Sequence, residues 1–162
     1  MALRPKEHRV ATILDSDAAL KAGLAKLARR DPVLARLVLE GAAPVLRKRP
    51  PGFEGLAWIV TGQQVSTASA AAIWARVRDS LAPVTPDRIR AASDEELRAP
   101  GLSAAKIRTL RAAAAAVAEG RLPLDRLPEL SADEAHDLLT TVKGIGPWTA
   151  HAPPPSAASA PT

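Results

Sequence analysis

The chain has no cysteine, which excludes a disulfide framework, a thiolate zinc site and an iron–sulfur cluster. It has no long apolar run. The N-terminal MALRPKEHRVATILDSD lacks the apolar stretch of a secretory leader, and no later segment approaches the roughly 20 apolar residues that a membrane-spanning helix requires. A protein that is soluble, not exported and cytoplasmic is the simplest expectation. There is no internal repeat of fixed period and no run of alternating apolar residues, so strands are not expected. The three histidines, His8, His136 and His151, are scattered and read as surface residues. With no cluster of His, Cys and carboxylates, the pattern argues against zinc or another transition metal.

What is present fits one globular domain. The chain has 162 residues, 47% of them apolar and 24% charged, enough to bury a core. Twenty-two Lys and Arg against 17 Asp and Glu leave a net charge of +5 and a pI near 10.2. That balance favours a polyanionic partner such as DNA.

Residues 1–15 are charged, short of apolar partners, and read as a loose arm. Residues 17–30 read as a helix. A second begins with Asp31 as N-cap and Pro32 at its first position, with Val33, Leu34, Leu37 and Val38 on one face, and is interrupted at Gly41 and Pro44. The basic, proline-rich stretch 46–52 reads as a solvated loop. A long helix is expected over 54–81, because Leu56, Ile59, Val60, Trp74 and Val77 recur at helical spacing. Gln63 and Gln64, four residues after Ile59 and Val60, are then expected on its inward face, where amides need partners. The small residues of 65–72 would allow a close helix approach. Thr85 with Pro86 opens a short helix, and Ser93 with Glu96 forms a capping box for another. Ser103 caps a helix that Gly120 ends, with Ile107, Leu110 and Val117 toward the core and Lys106, Arg108 and Arg111 on solvated faces. After a turn-rich link containing Pro123 and Pro128, Ser131 and Glu134 form a second capping box.

The stretch LLTTVKGIGPWTA at 138–150 is the one that the rest of the chain is organised around. Leu138, Leu139 and Val142 form one face of a helix expected to end near Lys143. Gly144 and Gly146 tolerate positive φ and let the backbone reverse, and Pro147 suits the first position of the next helix. The product is a helix-hairpin-helix spanning 132–150. The amides of Gly144, Ile145 and Gly146, little shielded by side chains, together with the following helix start, suit an anionic oxygen such as a nucleic-acid phosphate.

KGIGPWTA resembles the hairpin of the helix-hairpin-helix DNA base-excision glycosylases, and more closely their 3-methyladenine DNA glycosylase II branch. TGQQVSTASAAAIWARV at 61–77 resembles that branch's "QQ-hydrophobic-S" helix, and GLSAAKIRTLRAAAAAV at 101–117 its next "GLS..K" helix. Three segments in family order carry more weight than one glycine motif. The absence of cysteine sets aside the family branches that hold an iron–sulfur cluster. Whereas the composition of 151–162 reads as a disordered Pro/Ala/Ser tail, the resemblance implies an all-α helical bundle of the glycosylase type over 16–150. It implies a hairpin of Lys143, Gly144, Ile145, Gly146 and Thr149 that grips duplex DNA, and a base pocket that includes Gln64 and Trp148. It also implies a Na+ or K+ ion at the carbonyls of Thr140, Val142 and Ile145, and no other cofactor.

The reaction implied is hydrolysis of the N-glycosidic bond of alkylated purines by base flipping, in a monomeric, monofunctional enzyme with no membrane partner, nucleoid-associated if bacterial. In the family's bifunctional members a lysine occupies the place of Trp148. By the same resemblance, an apolar helix and a catalytic aspartate should follow Ala150. HAPPPSAASAPT supplies neither, and Asp137 is the last acidic residue, so the chain reads as truncated or frame-shifted and its bundle as incomplete at the C-terminus. A catalytically inactive DNA-binding remnant is the alternative function, and a helical protein-interaction module is a third.

Overall fold

The computed structural model describes residues 16–46 and 50–150, with every side chain in those ranges except that of Trp148. The arm expected at 1–15 and the tail expected at 151–162 lie outside the described residues, as do residues 47–49 of the basic loop. All regular structure among the described residues is helical, as the lack of alternating apolar runs requires. No helix there is long and apolar enough to cross a membrane. The stretch read as one domain divides into two units, Thr12–Arg49 and one containing Pro50–Thr162.

The first unit is a helix pair, α1 (Asp17–Ala28) and α2 (Pro32–Leu39). Ser16 caps α1, and the Asp31 carboxylate accepts from the Val33 and Leu34 amides to cap α2, with Pro32 at its first turn. The two helices pack on each other, yet neither contains a buried residue. Leu27, Val33, Leu37, Leu39 and Val45 are all exposed.

The second unit holds the core. Its helices are α3 (Gly52–Thr61), α4 (Thr67–Leu81), α5 (Pro86–Ala91), α6 (Asp94–Arg98), α7 (Ala104–Ala118), α8 (Ala132–Thr140) and α9 (Pro147–Ala150), with a 3-10 turn at Leu127–Glu129. α7 is the axis, packed against α3, α5 and α6. Ile107, Leu110, Ala113, Ala114 and Ala116 are buried along it, and its alanines keep the neighbouring helices close. Leu56 and Val60 of α3, Val77 and Leu81 of α4, Ile89 of α5 and Leu97 of α6 complete the core. Each large aliphatic side chain fully buried here contributes on the order of 1.5–3 kcal/mol. Both capping boxes form as the sequence requires, Ser93 with Glu96 and Ser131 with Glu134.

Three expectations are corrected. The helix expected over 54–81 is two helices, because Gly62 closes α3, Gln64 adopts φ +55° and Ser66 caps α4 by accepting from the Ser69 amide. The small residues of 65–72 are accordingly exposed, save half-buried Ala70. Lys106, expected in solvent, is buried, and its Nζ donates to the Thr61 carbonyl at 2.7 Å. The ammonium thus satisfies a carbonyl at the end of α3 that no later helical turn can reach. Arg111 is half-buried, and its guanidinium binds the Ala92 carbonyl at 2.9 Å and the Asp94 carboxylate at 2.8 Å, tying α7 to the α5–α6 junction.

Burial pushes the Lys106 amine below its ordinary value of 10.5. Between that lowered value and 10.5 the unfolded chain binds a proton that the folded chain does not hold. Stability from this group therefore rises with pH across the window, and is lost as pH falls through the folded value. The chain has neither tyrosine nor cysteine, so no phenol or thiol titration overlaps this window. Denaturant melts of the parent and of Lys106→Met across this alkaline window should show the difference moving in the parent's favour as pH rises. A difference flat with pH would contradict the desolvated amine.

Candidate nucleic-acid interface

The hairpin is built on α8. Ala135, Leu139 and Val142 are buried and Leu138 is partly buried against the core, so the helix presents one apolar face and stands on it. α8 stops at Thr140, three residues before the expected end at Lys143. Thr141 and Val142 donate to the Leu138 and Leu139 carbonyls at 3.3 and 3.2 Å, a tightened last turn that brings the chain to Gly144. The hydroxyls of Thr140 and Thr141 turn back onto the Asp137 and Leu138 carbonyls.

Gly144 has φ +96°, and a Cβ built on it would lie 1.9 Å from Thr109 Oγ1 on α7. Both the turn and the close approach therefore require glycine. Gly146 does not share this role, which corrects the sequence expectation. It has no positive φ, and a Cβ there would meet nothing within 4 Å. Its exposed backbone has room for a close external approach.

A second support comes from the α3–α4 turn. Gln63, half-buried, donates through Nε2 to Thr149 Oγ1 at 2.9 Å and to the Gly144 carbonyl at 3.4 Å. The amide expected to face inward from a continuous helix thus reaches across from a turn and spans the hairpin from its glycine to α9. Gln64, expected to overlook the damaged base, stands exposed at the same turn. The signals that place this pair on a turn are Gly62 and the Ser66 cap, which the apolar stripe masks.

The other expected site residues separate by role. Lys143 is exposed, with no carboxylate partner among the described residues. Ile145 is buried in the core, and its amide donates to the Val142 carbonyl at 3.0 Å, so it is not among the amides open to an anion. The amides of Gly144 and Gly146 find no backbone acceptor among the described residues. The Thr149 hydroxyl oxygen accepts from Gln63 Nε2, which leaves its own O–H able to donate. The side chain of Trp148 lies outside the described residues. His136 is half-buried rather than on the open surface, its Nδ1 3.4 Å from Asp137, while His8 and His151 lie outside the described residues. No cluster of His, Cys, Asp and Glu able to hold a metal is present among the described residues. An apolar cavity of about 410 Å³ lies toward the C-terminal end of α7, lined by Phe53, Val117, Leu122 and Leu124 among others. It includes neither Gln64 nor any hairpin residue.

Residues 57–153 match the family model described as HhH-GPD superfamily base excision DNA repair protein. The DNA-3-methyladenine glycosylase 1 of Schizosaccharomyces pombe is 37% identical over 108 residues, covering 64% of this chain and 47% of that protein. The chain thus spans about half the length of the curated relative it matches. Among solved structures, a 3-methyladenine DNA glycosylase of S. pombe in complex with abasic DNA superposes with a TM-score of 0.69 at 34% identity, covering 78% of this chain and 65% of that one. A DNA-3-methyladenine glycosidase from Bacillus halodurans gives 0.65 at 33% identity, covering 76% of this chain and 58% of that one.

The two glycines should respond differently to alanine. Gly144→Ala should cost about 2–5 kcal/mol, the sum of ~1–3 for the clash and ~1–2 for the left-handed backbone, with partial rescue by Thr109→Ala. Gly146→Ala should melt within about 0.5 kcal/mol of the parent, as surface changes do. Equal melting of both variants would contradict the packing described.

Proposed function

Because the chain belongs to the HhH-GPD superfamily of base excision DNA repair proteins, we propose that it serves base-excision repair as a monofunctional DNA N-glycosylase. Its substrates are alkylated purines such as 3-methyladenine in duplex DNA, flipped out of the stack before the N-glycosidic bond is hydrolysed. The observation that carries this reading is the hairpin itself, locked against α7 at Thr109 and spanned by Gln63, with the exposed backbone of Gly144 and Gly146 turned outward beside Lys143. Backbone amides and one cation can hold a phosphate without reading sequence, which suits an enzyme that must search any DNA. The reading places the protein in the cytoplasm, on the nucleoid in a bacterium, acting as a monomer.

Gln64 and Trp148 are the residues proposed for the base pocket. An electron-rich indole attracts a cationic methylated purine. Tryptophan at 148 cannot form the Schiff base that a lysine would, so no lyase step is expected. The carbonyls of Thr140, Val142 and Ile145 are uncharged oxygen donors, a set that suits Na+ or K+ rather than zinc. The Val142 oxygen already accepts from Ile145, and a carbonyl retains a second lone pair for an ion. Such an ion would add positive charge beside a bound phosphate.

Residues 138–162 contain neither Asp nor Glu. These residues therefore supply no anion to stabilise positive charge developing on the sugar, an observation that favours a second reading, DNA binding without excision, for the polypeptide 1–162. Loss of one preorganised charge-stabilising group costs about a hundredfold or more in rate. The purified polypeptide 1–162 should bind duplex DNA with salt-dependent affinity, yet release 3-methyladenine or 7-methylguanine no faster than the uncatalysed reaction. Robust release that is abolished by Asp137→Asn or Glu134→Gln would overturn this second reading and show that a carboxylate ahead of the hairpin can serve. Absence of duplex binding at any salt concentration would overturn the DNA-repair reading itself.

A further inference from the structure

The net positive charge of this chain does not lie in the unit that holds the hairpin. Residues 50–162 carry eleven Lys and Arg against twelve Asp and Glu, whereas residues 12–49 carry eight against four. The unit that holds the hairpin is thus slightly acidic and the α1–α2 unit is net basic, with Arg47, Lys48 and Arg49 of its eight cations outside the described residues. The disposition of the cations differs as well. In the hairpin unit Arg88, Arg90, Arg98, Arg111, Arg121 and Arg126 are each paired with a carboxylate, and Lys106 is buried. Those charges are neutralised locally, whereas the unit's exposed cations with no carboxylate partner among the described residues, which include Arg78, Arg108 and Lys143, are spread over α4, α7 and the hairpin.

α1 is arranged otherwise. Lys26 stands in the last turn of α1, Arg29 is its C-cap and Arg30 follows in the turn, so three cations lie within five residues at the C-terminal end of the helix. All three are exposed, and none pairs with a carboxylate among the described residues. Three unneutralised cations within five residues suit a polyanion better than a single carboxylate. Favourable interaction with the C-terminal end of the helix dipole explains why cations are tolerated there, but not why the whole unit carries the excess.

We infer that the basic C-terminal end of α1, formed by Lys26, Arg29 and Arg30, is a second contact surface for the phosphate backbone of duplex DNA, additional to the hairpin. This rests on the proposal that the chain works on DNA. The contact is electrostatic and independent of sequence. It supplies nonspecific affinity that the acidic hairpin unit does not supply by net charge, while the hairpin fixes orientation through backbone amides.

The test is the salt dependence of binding to an undamaged duplex, measured on the full chain. Removing one cation that neutralises a phosphate lowers the slope of log K against log salt by about 0.9. The variant K26Q/R29Q/R30Q should therefore lose roughly 2–3 of the parent's slope, with affinity falling alike on unrelated sequences. K26R/R29K/R30K should retain the parent's slope, which excludes a folding defect of the site. R90Q/R98Q/R126Q removes the same charge from ion-paired positions and should change the slope far less. An unchanged slope in the α1 variant overturns the inference and leaves the DNA reading standing, as does an equal loss in the ion-paired control, which would report net charge alone. A parent with no salt-dependent binding overturns both.

Discussion

The contact on which the site depends is the absence of a side chain at Gly144 where it meets Thr109. A backbone turn with φ +96° is pressed against the middle of α7, the helix on which the core of its unit is built. The hairpin is therefore not a loop projecting from a bundle. Its apolar residues, Leu139, Val142 and Ile145, belong to the core, while Lys143 and the backbone of Gly144 and Gly146 are exposed at the turn. Because interiors are packed as densely as crystals, a hairpin seated this way holds its amides in fixed positions. Fixed donors lose little entropy on binding an anion, so the grip proposed for the hairpin is preorganised.

The same logic extends to the α3–α4 turn. Lys106 on α7 holds the last carbonyl of α3, and Thr109 on the same helix, one turn later, seats Gly144. Two residues beyond the carbonyl held by Lys106, Gln63 crosses to Thr149 and Gly144. One stretch of α7 thus sets both the turn and the hairpin, and Gln63 joins them. A neutral hydrogen bond of this kind contributes on the order of 0.5–1.5 kcal/mol, small against the core. Its effect is to fix where the exposed Gln64 stands relative to the hairpin.

Much of the architecture is legible in the sequence because capping chemistry is local. Ser16, Asp31, Thr85, Ser93, Ser103 and Ser131 each start a helix through a side-chain oxygen a few residues away from its donor, and all but the first can be read as caps from the chain alone. The break at 62–66 cannot, since the apolar stripe continues in phase through it and Gln64 takes a backbone conformation that its residue type does not announce. Lys106 escapes sequence reasoning for a different reason. Its burial is decided by the end of α3, 45 residues away in sequence, and no pattern within α7 reports that distance. Likewise, both hairpin glycines look alike in the chain, and the left-handed backbone of Gly144 together with the position of Thr109 separates the one that is required from the one that is open.

Hydrogen–deuterium exchange of the full chain, free and saturated with duplex DNA, tests most directly whether this hairpin is the DNA-gripping element. The account predicts new amide protection at 143–149 on binding, with the α7 core already protected in the free protein and unchanged. Protection elsewhere in the chain with no change at 143–149 would contradict it.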